Sequence, residues 1–127
     1  MLKPVILFFL LAFFSPGVFA LTYEVVKDYR GWALAYTSEH AQTDHDPFST
    51  AAGTTPKWGT VAANHLPLWT RIKIDGFGEK VFTVEDRLHK RYKKTIDLWF
   101  PNKTLARQFG KRWLKYWVLK NVRPLPD

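Results

Sequence analysis

Two aspartates eleven residues apart, Asp86 and Asp97, are the residues best placed to do chemistry. Each lies at the end of an apolar, strand-like stretch: Thr83-Val84-Glu85-Asp86 precedes a polar excursion, and Thr95-Ile96-Asp97-Leu98-Trp99 follows it. Ile96, Leu98, Trp99 and Phe100 hem Asp97 in. A carboxylate there either faces solvent or is desolvated, and desolvation raises its pKa so that it keeps a proton to give as a general acid. The plainer role for either aspartate is to cap a turn or pair with Arg87 or Arg91. Arg87 to Lys94 puts five cations into eight residues between the two carboxylates. Such a run is ordinarily a solvated loop. Its functional alternatives are docking an anionic glycan or peptide carboxylate, or tracking phosphates with Tyr92 stacking. Because it joins Asp86 to Asp97, it belongs to whatever site they form.

Other candidates are weaker. His65 is a second polar group or an ordinary turn histidine. His40, Asp44, His45 and Asp46 are ligand types for a divalent ion, but no matching pair stands at a recognised spacing elsewhere, so a polar loop is expected, with no metal and no cofactor. Six tryptophans suit a core. Of these, Trp58 and Trp99 are the candidates to stack on sugar rings.

The elements that must position these groups are mostly strands. Tyr23 to Val26 and Trp32 to Tyr36 read as two short strands, and Thr37 to Pro56 as a long polar loop punctuated by Pro47, Gly53 and Pro56. Gly59 to Ala63 is followed by a turn at Pro67. Thr70 to Ile74 then alternates polar and apolar residues, and Asp75-Gly76-Phe77-Gly78 turns the chain into Lys80 to Val84. Thr95 to Phe100 is a further strand. Asn102 or Thr104 caps a brief helix from Leu105 to Phe109, with Gly110 closing it. Trp113 to Leu119 fits a strand or a basic amphipathic helix, and its aromatic and β-branched content favours a strand. Many short strands with one or two short helices predict a mainly β fold, a small barrel.

The 127 residues fit one domain, and 46% hydrophobic content is that of a globular chain. Nineteen Lys and Arg against 11 Asp and Glu give +8 and call for an anionic partner. The absence of cysteine excludes disulfide frameworks, thiolate metal sites, a cysteine nucleophile and a lipidated-cysteine anchor. Lys3, the apolar run Val5 to Phe14, the break at Ser15-Pro16-Gly17 and Val18-Phe19-Ala20 have the order of a secretory signal peptide over residues 1–20. The alternative is an uncleaved anchor, though the run is short for a bilayer. Cleavage leaves a single domain over 21–127 with no stable membrane anchor, and a charge of +7, since Lys3 is the only charged residue removed. An exported, cysteine-free protein points to a bacterial periplasm, envelope or extracellular space, and counts against nucleic acid as the partner.

Several blocks taken in order resemble the bacterial three-aspartate (3D) domain. These are Ala35-Tyr36-Thr37, Thr50-Ala51-Ala52-Gly53, Gly59-Thr60-Val61-Ala62-Ala63, Leu66-Pro67-Leu68-Trp69-Thr70, Ile74-Asp75-Gly76-Phe77-Gly78, Val84-Glu85-Asp86, Ile96-Asp97-Leu98 and Phe109-Gly110-Lys111-Arg112. The likeness spans about residues 33 to 119, and the step from Asp86 to Asp97 is its most specific element. A related barrel occurs in membrane-bound lytic transglycosylase A, and a looser one in rare lipoprotein A and expansin-like domains. The resemblance implies a six-stranded double-psi β-barrel acting on peptidoglycan glycan strands, with Asp97 as general acid and Asp86 lining the same groove. The family's remaining aspartate falls where this chain has Asn64. Its Thr-Gly-Gly after the first paired aspartate is here Arg87-Leu88-His89.

The expected function is therefore an exported, monomeric, peptidoglycan-active glycosidase of cell-wall turnover, a lytic transglycosylase or muramidase. Its catalytic residues would be Asp97 and Asp86, and its substrate-binding residues Asn64, His65, Arg87, Arg91, Trp58 and Trp99. The competing expectation is a non-catalytic, expansin-like wall-binding module, favoured by Asn64 and the missing glycines.

Overall fold

A computed structural model describes residues 7–9, 22–39 and 48–122. The cluster His40, Asp44, His45 and Asp46 and the expected cleavage site at 18–20 lie outside the described residues. Strand β1 (Leu7–Phe9), within the segment read as a signal peptide, pairs antiparallel with Thr22 to Glu24. No helix among the described residues is long and apolar enough to cross a membrane.

The remaining strands are β2 (Thr22–Tyr36), β3 (Thr60–Ala63), β4 (Arg71–Ile74), β5 (Val81–Asp86), β6 (Ile96–Trp99) and β7 (Arg112–Val122). They run side by side as β2-β6-β3-β5-β4-β7, and β7 returns to pair with β2, closing a six-stranded barrel. The β2–β6 and β3–β5 pairs are parallel and the others antiparallel. This mixed, closed arrangement is compatible with a double-psi barrel.

Alternation along each strand sends one set of side chains inward. Ala33, Val61, Ile72, Phe82, Val84, Ile96, Leu98 and Tyr116 are fully buried. Each larger apolar side chain among them contributes about 1.5–3 kcal/mol through burial. One short helix, α1 (Lys103–Phe109), lays Ala106 and Phe109 on the barrel. Asn102, not Thr104, caps it, accepting from the Leu105 amide at 2.9 Å, and Gly110 ends it at φ 68°.

The first half of the barrel departs from the sequence expectation. Tyr23 to Val26 and Trp32 to Tyr36 belong to one 15-residue strand, β2. The Lys27-Asp28-Tyr29-Arg30-Gly31 stretch between them is paired residue by residue with Val118 to Leu114 of β7. Its charges hid the strand from the apolar pattern: Lys27, Asp28 and Arg30 face solvent, and only Tyr29 turns toward the core. A bulge at Val26 shifts the register there.

Gly31 sits where the backbone of the basic loop passes closest, for a Cβ on it would stand 2.5 Å from the Lys94 carbonyl oxygen. That carbonyl accepts a 2.8 Å bond from the Tyr116 hydroxyl. Gly31→Ala is expected to push the loop off the barrel and lower the unfolding free energy by about 1–3 kcal/mol, read by chemical denaturation. Wild-type stability in that variant would contradict the close approach.

Candidate functional site

The outward-facing side chains of four adjacent strands form the site. Leu34 of β2 is the register partner of Asp97 on β6, Asp97 of Ala62 on β3, and Ala62 of Asp86 on β5. Register partners point to the same face, so the two aspartates flank the small Ala62 side chain in one transverse row. Their Cα atoms are two strand spacings apart, about 10 Å. A bulge where β3 meets β5 makes this possible. Val84 points into the core, yet Glu85 and Asp86 both leave it: the Glu85 carboxylate accepts from the Thr60 hydroxyl at 3.2 Å.

The two carboxylates have opposite surroundings. Three donors converge on Asp86: the Tyr36 hydroxyl at 3.1 Å on Oδ2, and the Ala51 and Arg87 amides at 3.1 and 2.9 Å on Oδ1. Asp97 Oδ1 is buried with no hydrogen-bond partner. Burial first, and the negative charge of Asp86 second, push the Asp97 carboxyl from 3.8 up to about 7. Tyr36 is held in its protonated, donating form for parallel reasons: burial, then the charge of Asp86, raise its pKa. The arrangement is thus an acid that keeps its proton near neutrality, beside a carboxylate fixed as an acceptor.

The segment after Asp86 is held by side chains rather than by glycine-permitted backbone. Asn64 Nδ2 donates to the His89 and Tyr92 carbonyls at 2.8 and 3.1 Å, and its Oδ1 accepts from the Leu88 amide at 2.9 Å. Arg87 Nη1 reaches back to the carbonyls of Ala63 and Leu66 at 2.5 and 2.6 Å. Both residues were candidates to bind substrate; here the Asn64 amide and the Nη1 group of Arg87 tie the loop to the end of β3 and to the Leu66 carbonyl. Arg91 is exposed, donating to the Tyr92 hydroxyl at 2.9 Å while its guanidinium lies 4.8 Å from that ring.

His65 stands apart from the aspartate row. Tyr116 donates to the Lys94 carbonyl, so its oxygen accepts from His65 Nε2–H at 2.7 Å. Burial first, then Lys94 and Lys27, lower the His65 pKa and keep the ring neutral. Trp99 shares the outward face of Asp97 two residues along β6, and its indole N–H donates to Ser38 Oγ at 2.8 Å. Trp58, 39% exposed, packs on Phe77, Phe82 and Phe100. A cleft of about 500 Å3 lined by Leu66, Trp69, Arg71, Val118 and Asn121 contains neither aspartate.

Three participants escaped the sequence reading. Tyr36 stands there only as the end of an apolar strand and Glu85 only as the neighbour of Asp86, neither with a role of its own. The Ala51 amide has no side-chain signal at all. Among the described residues, no group of three His, Asp or Glu side chains is arranged to hold a metal ion. No protein-family model matches the chain, and no curated protein matches it.

Proposed function

We propose that this protein is an exported peptidoglycan-active glycosidase, a double-psi barrel in which Asp97 is the general acid. The observation that carries the reading is the Asp97 carboxyl, with an unpartnered buried Oδ1 and a pKa raised to about 7, one small residue away from the fully hydrogen-bonded Asp86. A glycosidic oxygen is a poor leaving group until it is protonated. An acid that holds its proton at neutral pH is the group this chemistry requires.

In the lytic reaction, the Asp97 proton passes to the oxygen linking N-acetylmuramic acid to N-acetylglucosamine as the anomeric carbon gains oxocarbenium character. The C1–O bond breaks, the muramyl 6-hydroxyl oxygen bonds to C1, and its proton returns to the Asp97 carboxylate. The products are a 1,6-anhydro sugar and a free 4-hydroxyl, and no water is consumed. Asp86 orients the hydroxyl and, through its charge, holds Asp97 in the acid form. Exposed Lys90 and Arg91, in the loop that joins Asp86 to Asp97, attract lactyl or stem-peptide carboxylates.

The test is digestion of purified wall sacculi by the wild type and by Asp97→Asn, with the soluble products analysed by mass spectrometry. Anhydro-muropeptides from the wild type alone support the mechanism. Reducing-ended products would replace the 6-hydroxyl by water as nucleophile. Sedimentation with sacculi and no soluble product would instead establish the non-catalytic wall-binding module, which the side-chain clamps of Asn64 and Arg87 also suit.

A further inference from the structure

We infer that the outer face of the β2–β7 ribbon is a second glycan-binding platform, continuous with the Asp97 row and built to hold an anionic amino-sugar polymer; this rests on the glycosidase reading for the identity of that polymer. Trp32 and Trp113 are register partners on neighbouring strands, 43% and 58% exposed, with ring centroids 5.3 Å apart at 80°. Four residues beyond Trp113, Trp117 stands on the same face of β7. Three cations are interleaved with the indoles. Lys111 Nζ lies 4.4 Å from the Trp32 ring, Lys115 Nζ lies 5.5 Å from the Trp117 ring, and Arg30 is the register partner of Lys115. Asp28, 3.3 Å from Lys115, is the only carboxylate in the paired stretch from Asp28 to Ala33 of β2 and from Arg112 to Trp117 of β7, leaving this part of the strip cationic.

The barrel gains nothing for its own core from indoles held on its exterior, and large exposed apolar groups in a cluster mark contact sites. The chemistry of this cluster is specific. Indole faces stack on the apolar faces of pyranose rings, and interleaved ammonium and guanidinium groups pair with the carboxylates that a lactyl or peptidyl substituent adds every second sugar. Position links the strip to the candidate site. Trp32 shares the outward face of Leu34, the register partner of Asp97, and so lies roughly 8 Å from Asp97, one strand over and one pleat along. A glycan strand lying on Asp97 has its next sugars over Trp32 and Trp113.

The experiment is co-sedimentation of the full chain with purified sacculi over a range of salt. Trp32→Ala with Trp113→Ala is expected to weaken binding at least about tenfold, and Arg30→Gln with Lys111→Gln to flatten its salt dependence. Trp32→Phe with Trp113→Phe, which retains a stacking face, should fall between wild type and the alanine pair, and with the glutamine pair it carries the test if the alanine pair unfolds. Wild-type binding by a folded alanine pair overturns the platform. Binding to anionic-lipid vesicles in place of sacculi, with a blue-shifted tryptophan emission, overturns it in favour of a membrane surface. The two readings fail separately. Tryptophan-dependent binding without muropeptide release retains the platform and removes the glycosidase, whereas Asp97-dependent release with unimpaired binding by the tryptophan variants does the reverse.

Discussion

Asp97→Asn is expected to lower muropeptide release by about 10²–10⁴-fold, the usual contribution of a positioned general acid, while making the protein more stable at pH 8. The two effects share one cause. In the folded chain the Asp97 carboxyl is raised to about 7 from 3.8, by burial and then by Asp86. Below pH 4 it is protonated folded or unfolded, and contributes no difference. Between pH 4 and 7 the folded state keeps a proton that the unfolded state has released, so stability falls as pH rises through this window. Above 7 the loss is complete, on the order of a few kcal/mol. An amide of the same shape has no such dependence. Unfolding of the two proteins at pH 4 and pH 8 should therefore show similar stability in acid and an advantage for the variant in base. A variant less stable than the wild type at pH 8 would mean that Asp97 is stabilised by its charge, and the acid role would go with it.

In the proposed mechanism the same carboxyl sets the rate profile. Release should decline as pH rises past about 7, where Asp97 gives up its proton. Asp86→Asn removes the second cause of the shift and leaves burial, the larger one, so the declining limb should move toward acid without reaching the ordinary carboxylate range. A limb unmoved in that variant would separate the two aspartates.

The second large effect concerns Asn64 and runs against the pattern of the family the sequence resembles. Placing an aspartate at position 64, where the three-aspartate domain has one, is expected to destabilise this protein by about 2–4 kcal/mol. The Asn64 Nδ2 group donates to two carbonyl oxygens, those of His89 and Tyr92. In Asn64→Asp a carboxylate oxygen faces both, so two bonds are lost and like partial charges meet. The deficit should shrink in acid, where the introduced carboxyl regains one donor. Faster amide exchange across residues 87–92 would locate the damage in the loop. Unchanged stability and exchange at pH 7 would refute the clamp.

Asn64 also illustrates what a linear reading misses. Its alignment with an aspartate in the resembling family suggested a groove residue with an altered charge. Its actual partners are backbone atoms 24 to 28 positions away, and nothing in its own neighbourhood signals them. Arg87 is a parallel case, its guanidinium turned back on the end of β3. Together they do with side chains what paired glycines would do with backbone freedom, holding the chain that leaves Asp86 close to the barrel.

The β elements themselves were largely legible. Period-two alternation in residues 70–74 and 80–84, the apolar text around Ile96 and the Asn102–Gly110 caps all encode local geometry that neighbouring residues suffice to set. Where charge overrode hydrophobicity, as in Lys27 to Arg30, the long strand was hidden, because its pairing with β7 depends on residues about ninety positions on. Composition likewise determined a mainly β, aromatic-rich and basic chain without thiol chemistry. Only the closed barrel decided which groups share a face. The β3–β5 bulge turns Asp86 outward, the parallel register of β2 and β6 puts Leu34 beside Asp97, and Tyr36 reaches Asp86 across fifty residues. A carboxyl pKa responds to what surrounds it in space, so the chemistry available to Asp97 is a property of the fold and not of its sequence neighbours.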